Sequence, residues 1–139
     1  MKVVIDSTVL VSMFSDKDKF HKLGLDVFSK IVDKKIEPII PTLAIPETCG
    51  LIGRMFGNQL ASIVKDQLNT WIENGIVLVK ELTLERMKYA TEDAITFGLK
   101  GADAVFVALT KESDASLATF DDGLKKRVKE KIKLFEIGE

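Results

Sequence analysis

The sequence predicts one α/β domain, residues 1–139, in which helices cover both faces of a central, mostly parallel sheet of four to five strands. Short apolar runs rich in β-branched residues alternate with longer segments whose apolar residues recur every three or four positions. The first run is apolar throughout, as in a strand buried on both faces of a parallel sheet. We therefore expect a three-layer α/β/α fold.

The individual elements follow from the same periodicities. We expect strands at 3–5, 36–40, 76–79, 116–119 and 132–137. We expect helices at 8–14, 16–35, 42–56, 58–74, 83–99, 100–109 and 124–130. Pro41 is expected to stop the second strand, and Thr42 to cap the following helix. Trp71 is interpreted as a core or interface anchor.

Composition narrows the class of protein. Apolar residues make up 46% of the chain and charged residues 29%, as in a soluble globular protein. No apolar run is long enough to span a membrane and no signal-peptide pattern opens the chain, so we expect a cytoplasmic protein with no membrane partner. The net charge of −1 argues against a wholly basic surface but leaves room for a local basic patch that binds nucleic acid.

The sequence lacks the residues that several common kinds of active site require. His21 is the only histidine and Cys49 the only cysteine, which leaves too few groups for a Cys/His zinc site and little choice for a nucleophile–histidine site. We interpret His21 as a surface or packing residue and Cys49 as a small core residue. No Walker A or GxGxxG motif is present. Carboxylates, hydroxyls and lysines remain as the available chemistry.

An aspartate with two hydroxyl neighbours follows the first strand. Asp6 comes directly after the apolar run 3–5, and Ser7 and Thr8 come next. In open α/β sheets, ligands bind just beyond the carboxyl ends of the strands. Asp6 alone has two interpretations, either the N-cap of the next helix or a metal ligand. Other carboxylates at the same edge would favour the second interpretation.

Three further carboxylates have comparable positions. Glu47 lies in the first turn of a helix, where a dipole-stabilised surface glutamate is the simpler interpretation when it is taken alone. Asp103 opens a helix that is apolar throughout 104–109, and burying this carboxylate without a partner would be costly. Asp121 follows the fourth strand and repeats the pattern at Asp6.

The topology predicts that these four carboxylates converge. In a parallel sheet with right-handed crossovers, the ends of strands and the starts of the following helices share one edge. Two unit charges at ~4 Å cost about 4 kcal/mol at an effective dielectric of 20, so a cluster requires protons or a divalent cation. Oxygen ligands select Mg²⁺ or Mn²⁺, and metal-assisted hydrolysis of a phosphodiester is the natural chemistry. Hydroxyls that could orient water or the carboxylates belong to Ser7, Thr8 and Thr119.

This ordered set of motifs resembles the PIN-domain ribonucleases, and most closely the toxins of VapBC toxin–antitoxin systems. The resemblance extends over nearly the whole chain. It rests on Asp6-Ser7-Thr8 after the first strand, Glu47 after the second, Ala102-Asp103-Ala104 opening an apolar helix, and Thr119-Phe120-Asp121 after the fourth strand.

The resemblance implies an endoribonuclease that depends on Mg²⁺ or Mn²⁺. Asp6, Asp103 and Asp121 would hold one or two metal ions, and Glu47 would complete the site or position the attacking water. The family's hydroxyl beside this quartet would be that of Thr119. The resemblance also implies an RNA substrate, a homodimer, and inhibition by a small antitoxin protein bound near the active site.

Some assignments stay open at this point. Asp121 and Asp122 are adjacent and either could face the metal, although the Thr-x-Asp spacing favours Asp121. The basic run 125–129 is equally well interpreted as an ordinary solvated helix face. The candidates for contacts with RNA phosphates are Lys100, Lys111, Lys125, Lys126 and Arg127.

Three other functions compete with a toxin nuclease. The first is an aspartyl phosphohydrolase with Asp6 as nucleophile, although Thr8 stands where haloacid-dehalogenase-like enzymes usually carry a second aspartate. The second is a PIN-like scaffold that binds RNA or protein without catalysis. The third is a PIN nuclease that acts in RNA processing.

Overall fold

The structure, a computed structural model that describes residues 1–138, is an α/β fold. Within these residues five strands form one sheet in the order β3-β2-β1-β4-β5, and all neighbouring strands are parallel. The strands are β1 (Lys2–Ile5), β2 (Glu37–Pro41), β3 (Leu78–Lys80), β4 (Ser116–Ala118) and β5 (Lys133–Leu134). The predicted fold class, with a parallel sheet and surrounding helices, is confirmed.

Seven helices surround the sheet in the described part of the chain. They are α1 (Ser7–Phe14), α2 (His21–Val32), α3 (Ala44–Phe56), α4 (Asn58–Glu73), α5 (Leu84–Phe97), α6 (Gly101–Glu112) and α7 (Asp122–Val128). The hydroxyl of Thr83 caps α5 by accepting a hydrogen bond from the Arg86 amide, and Gly98 ends that helix at φ 65°. Local sequence signals therefore account for both ends of α5.

The core is built around β1. Val4 pairs with Ile39 of β2 on one side and with Leu117 of β4 on the other. Its neighbours Val3 and Ile5 are likewise fully buried, which explains why this strand is apolar throughout. β1 is the central strand, so the residue that follows it emerges in the middle of the carboxyl edge of the sheet.

Several predicted boundaries were wrong. Helix α2 begins at His21 and not at 16, because the side chains of Ser15 and Asp18 accept hydrogen bonds from the backbone amides of nearby residues and hold turns there. Strand β2 includes Pro41, which pairs with β3 but lies beyond the last residue of β2 paired with β1. Its missing amide donor therefore costs no hydrogen bond to β1.

Two further predictions on these elements fail. Thr42 does not cap α3, since the N-cap position belongs to Leu43 and no side chain caps this helix. Strand β5 covers only Lys133–Leu134, shorter than the predicted 132–137. By contrast Trp71 is a core anchor, 5% exposed and packed against the rings of Phe14 and Phe28.

A glycine allows α1 and α2 to approach closely. A Cβ atom on Gly24 would lie 2.1 Å from the Ser12 hydroxyl and 2.8 Å from the Ser12 carbonyl carbon. The same contact region contains His21, whose Nδ1 lies 2.7 Å from the Ser12 carbonyl oxygen, so this histidine is a packing residue. Helix α1 is thereby fixed against α2, with its first turn directed to the carboxyl edge of the sheet.

Candidate active site

The four predicted carboxylates lie at starts of helices. Asp6 follows β1 and is the N-cap of α1, and Asp121 is the N-cap of α7, three residues after β4 ends. Glu47 and Asp103 occupy the first turns of α3 and α6. Because all strands are parallel, the residues that follow β1, β2 and β4 meet at one edge of the sheet.

Asp6 is almost completely buried and its acceptors are filled only by uncharged donors. It is 5% exposed, and its Oδ1 accepts hydrogen bonds from the Thr8 hydroxyl at 2.5 Å and the Val9 amide at 3.2 Å. Burial raises the pKa of Asp6 to about 6, and hydrogen bonds from the hydroxyls of Thr119 and Thr8 oppose that rise. Within residues 1–138 no ion pair includes Asp6.

Asp6 therefore caps α1 itself, and neither Ser7 nor Thr8 takes this role. The reason is geometric, because the helix begins at Ser7, so both hydroxyls already lie inside its first turn. Capping does not exclude metal binding. The cap uses Oδ1, and a carboxylate has a second oxygen that can bind a cation.

The first turn of α1 also holds Glu47. The Ser7 hydroxyl donates a hydrogen bond to Glu47 Oε1 at 2.6 Å, which joins α1 to the first turn of α3. Glu47 is partly buried, and its position at the start of α3 is favourable for a negative charge. Consecutive hydroxyls on α1 thus contact two different carboxylates, Ser7 contacting Glu47 and Thr8 contacting Asp6.

Asp103 is coupled electrostatically to two of the other carboxylates. Its pKa is raised, chiefly by burial and then by repulsion from Asp121 and Glu47, while Lys100 opposes the rise. Repulsion of this kind requires proximity, so the structure brings Asp103, Asp121 and Glu47 to the same region. Asp6 joins them through contacts made by Thr8, described next.

The turn after β4 carries Asp121 and is tied to α1. The Phe120 amide donates a hydrogen bond to the Thr8 hydroxyl at 3.0 Å, and the Asp121 amide donates to the Thr119 hydroxyl at 3.0 Å. Oδ1 of Asp121 accepts a hydrogen bond from the Leu124 amide at 3.0 Å. The neighbouring Asp122 has a side chain 86% exposed, so the geometry favours Asp121 as the carboxylate associated with the cluster.

The donor set fits a hard divalent cation held partly through water. Among residues 1–138 no three Asp, Glu, His or Cys side chains already stand close enough together to enclose an ion. Mg²⁺ commonly keeps several waters and binds proteins through one or two carboxylates, so such separations are compatible with it. Carboxylate oxygens are donors that suit hard cations such as Mg²⁺ or Mn²⁺, and within residues 1–138 one of the four carboxylates is buried without a positive partner.

The basic residues divide into two groups. Lys100 lies near enough to Asp103 to affect its pKa, and Arg127 donates a hydrogen bond to the Gly98 carbonyl, just before α6. Lys126 is exposed on α7, and Lys125 approaches the exposed Asp122 at 3.9 Å. All four belong to the elements that also carry Asp103 and Asp121, or to the turn that precedes α6.

Lys111 is not brought to the site. It is near the opposite end of α6 from Asp103, ~12 Å along the helix at 1.5 Å per residue. Its Nζ lies 2.8 Å from Oδ1 of Asp93, an aspartate of α5 that is only 5% exposed. Sequence reasoning missed this pair, because the two residues belong to different helices and no local pattern indicates that they meet.

Comparisons with known proteins give a family and a fold. The family model described as PIN domain matches residues 3–130. Among solved structures, Mycobacterium tuberculosis VapC20, titled a sarcin–ricin loop cleaving toxin, is similar with a TM-score of 0.75 at 15% identity, over 89% of this chain and 93% of that one. FitAcB of Neisseria gonorrhoeae has a TM-score of 0.64 at 14% identity, over 96% of each chain.

A third solved structure is titled VapBC2 from Rickettsia felis bound to a DNA fragment from their promoter. It has a TM-score of 0.66 at 11% identity, over 98% of each chain. No curated protein sequence matches the chain significantly. A search of the described residues for a helix long and apolar enough to cross a membrane finds none.

Proposed function

The chain belongs to the PIN-domain family, and on that basis we propose that it is a metal-dependent endoribonuclease that acts as the toxin of a toxin–antitoxin pair. PIN domains are nucleases, which supports hydrolysis of a phosphodiester. The finer assignment to RNA and to a toxin is supported by the likeness in fold to VapC20 and FitAcB.

One observation carries the proposal. Asp6 is buried at the carboxyl edge of the sheet, no positive side chain within residues 1–138 pairs with it, and the hydroxyls of Ser7 and Thr8 link its helix to the elements that hold Glu47 and Asp121. A protein gains no stability from such an arrangement, because the buried charge is penalised and the nearby carboxylates repel each other. A bound divalent cation would remove both penalties.

The residues divide the chemistry between them. Asp6, Asp103 and Asp121 would hold one or two Mg²⁺ or Mn²⁺ ions, with Thr119 and Ser7 orienting the carboxylates. When bound, the metal would lower the pKa of its water and neutralise charge on the phosphate. Glu47, held by Ser7, would position the water that attacks phosphorus in line.

Basic side chains beside the carboxylates would bind the RNA backbone. Lys100 and Arg127 are the best placed, since they belong to the segment that leads into α6 and to α7. Lys125 and Lys126 extend the same positive surface along α7. Lys111 is removed from this set, because its ammonium group is engaged with a buried aspartate. Each phosphate contact would make RNA binding weaker as salt concentration rises.

The proposed partners are a small antitoxin and a second copy of the chain. Several structures of similar fold are toxin–antitoxin complexes, which supports the antitoxin. For the homodimer, the outer face of α5 is the best-supported surface, because Leu84 is 78% exposed and Ile95 is 74% exposed on one side of that helix.

The charges on α5 fit a twofold arrangement. Lys88 and Glu92 lie beside the apolar positions, so two antiparallel copies of α5 would place Leu84 against Ile95 and Lys88 against Glu92. Light scattering of the Ile95→Glu variant tests this surface. We expect a dimer for the wild type and a monomer for the variant, and a variant that remains dimeric would exclude α5 as the contact.

An RNA cleavage assay tests the proposed activity. Single-stranded RNA is incubated with the protein in Mg²⁺, in Mn²⁺ and in EDTA, with Asp103→Asn measured in parallel. We expect cleavage by the wild type in either metal, none in EDTA, and none by Asp103→Asn. The matched control is Asp114→Asn, which changes an exposed aspartate beyond the far end of α6 and should cleave like the wild type.

Other outcomes, in this assay and in two related experiments, would identify the rival functions. Tight binding of RNA without cleavage in either metal would indicate a non-catalytic scaffold. Cleavage without growth inhibition when the protein is expressed alone would favour an RNA-processing nuclease. Incubation with a phosphate monoester that leaves its phosphoryl group on the wild type but not on Asp6→Asn, with release of the alcohol, would indicate an aspartyl phosphohydrolase.

A further inference from the structure

The hydroxyl of Thr8 makes two hydrogen bonds that join separate parts of the candidate site. It donates to Asp6 Oδ1 at 2.5 Å, a short distance typical of a bond to a charged acceptor. It accepts from the Phe120 amide at 3.0 Å, and these two residues are 112 positions apart in the chain. A hydroxyl has one proton and two lone pairs, so it can serve both partners at once.

These two hydrogen bonds position both the Asp6 carboxylate and the turn that leads to Asp121. The bond to Asp6 fixes the rotation of that carboxylate, because Oδ1 then has two donors, Thr8 and the Val9 amide. The bond from Phe120 fixes the turn whose next residue is Asp121. Through Thr8, the position of Asp6 is set relative to the backbone that carries Asp121.

Holding the fold together does not require this hydroxyl. Helix α1 is already capped by the bond from the Val9 amide to Asp6, and β1 is already paired with β4 along Val3, Val4 and Ile5. Thr8 is only partly buried, so a missing hydroxyl would leave room for water at the Phe120 amide. A water there would satisfy the Phe120 amide but would not tie that amide to Asp6 Oδ1 as the Thr8 hydroxyl does.

We propose that Thr8 is a positioning residue for the divalent cation, acting through Asp6 and the Phe120 amide without touching metal or RNA. The inference rests on the proposed metal-dependent activity. Thr8 differs from its neighbour Ser7, whose hydroxyl donates to Glu47 and so bears on the attacking water. Replacing an outer partner of a metal ligand commonly lowers metal affinity by about 10–100-fold.

Two substitutions of Thr8 distinguish the effect of its hydroxyl from the effect of the rest of its side chain. Thr8→Val keeps the shape and removes both hydrogen bonds, and Thr8→Ser keeps the hydroxyl. Binding of Mn²⁺ is measured by the electron paramagnetic resonance signal of free Mn²⁺, without RNA. We expect the half-saturating Mn²⁺ concentration to rise about 10–100-fold in Thr8→Val and to stay near the wild-type value in Thr8→Ser.

A remote threonine provides the matched control. The hydroxyl of Thr70 is exposed and donates within α4, to the carbonyl oxygen of Asp66, so Thr70→Val should bind Mn²⁺ like the wild type. Circular dichroism confirms that each variant is folded. If Thr8→Val does not fold, Thr8→Ala replaces it, since a smaller side chain admits water to the vacated position.

The outcomes distinguish this inference from the proposed function. Wild-type affinity in folded Thr8→Val, or equally weak binding in Thr8→Ser and Thr8→Val, would overturn the role of Thr8 while leaving the nuclease proposal intact. A wild-type protein that binds no Mn²⁺ would overturn both. Weak Mn²⁺ binding in Thr8→Val together with a matching increase in the Mg²⁺ needed for RNA cleavage would support both.

Discussion

Two aspartates of this protein are buried to the same extent but are balanced in different ways. Asp6 and Asp93 are each 5% exposed. Asp93 forms an ion pair with Lys111, whose Nζ lies 2.8 Å from Oδ1 of Asp93. Asp6 accepts hydrogen bonds only from hydroxyl and amide groups, and none of the ion pairs within residues 1–138 involves it.

The difference indicates which aspartate serves structure and which serves function. The fold provides a positive partner for Asp93, between α5 and α6, so its charge is balanced within the chain. At Asp6 the fold provides only neutral donors, and burial raises the pKa of this carboxyl to about 6 although the hydrogen bonds from Thr119 and Thr8 oppose the rise. A site that keeps a buried carboxylate without its own cation suits a cation from solution.

The largest expected effect comes from neutralising each aspartate in turn. Asp6→Asn should lower the rate of RNA cleavage by more than about 10²-fold, because it removes a metal ligand rather than an outer partner. Asp93→Asn should leave cleavage by the folded protein unchanged and reduce its stability. Initial rates in Mg²⁺ and urea unfolding of both variants test the comparison, which fails if Asp93→Asn is the variant that loses activity.

The next effect concerns the partner of Asp93. Lys111→Met should lower the free energy of unfolding by about 3 kcal/mol, since it leaves a buried carboxylate unpaired. Lys35→Met is the control, because that lysine is exposed and forms no ion pair in the described part of the chain. Urea unfolding measures both. A stable Lys111→Met protein with reduced RNA affinity would instead restore Lys111 as a phosphate contact.

Protonation of Asp6 should make the free energy of unfolding depend on pH, with an effect no larger than that expected for Lys111→Met. In EDTA, burial raises the pKa of Asp6 in the folded protein to about 6, above the ordinary aspartate value of 3.8. Between these values the folded state binds more protons than the unfolded state, so stability falls as pH rises, by up to about 3 kcal/mol.

Urea unfolding of the wild type and Asp6→Asn across this pH range isolates the contribution of Asp6. The stability of the wild type minus that of the variant should decrease from pH 4 to pH 6.5 and then level off. A difference that is constant with pH, or one that grows, would show that Asp6 is not held in the protonated form by burial.

The smallest expected effect distinguishes two adjacent aspartates. Asp122→Asn should change the rate of RNA cleavage by less than about twofold, because its side chain is 86% exposed and exposed substitutions away from a site are nearly neutral. Asp121→Asn keeps the N-cap, since asparagine also caps helices, but should lose most activity. The opposite order of activities would assign the metal to Asp122.

The sequence was sufficient for the fold class and for the general positions of the four carboxylates. Buried strands and amphipathic helices have local periodicities, and a residue that follows a strand of a parallel sheet must lie at its carboxyl edge. Local signals also account for the ends of α5, which Thr83 caps and Gly98 terminates. They misplaced the start of α2, where Ser15 and Asp18 stabilise turns in place of a helix.

The sequence was insufficient to predict side-chain contacts between residues that are distant in the chain. It identified the Thr8 hydroxyl as one that could orient water or the carboxylates, but it could not indicate the hydrogen bond from the Phe120 amide. It also named Lys111 as a candidate contact with RNA phosphates, whereas Lys111 pairs with Asp93. It treated capping and metal binding by Asp6 as alternatives, whereas one carboxylate oxygen caps α1 and the other can still bind a cation.

The central claim is that Asp6 lies in a site completed by a divalent cation, and thermal unfolding with and without Mg²⁺ at pH 7 tests it most directly. Mg²⁺ at 100 times its dissociation constant should stabilise the wild type and Asp93→Asn by about 2.7 kcal/mol and so raise their unfolding temperatures. It should leave the unfolding temperature of Asp6→Asn unchanged. No stabilisation of the wild type, or equal stabilisation of Asp6→Asn, would contradict the account.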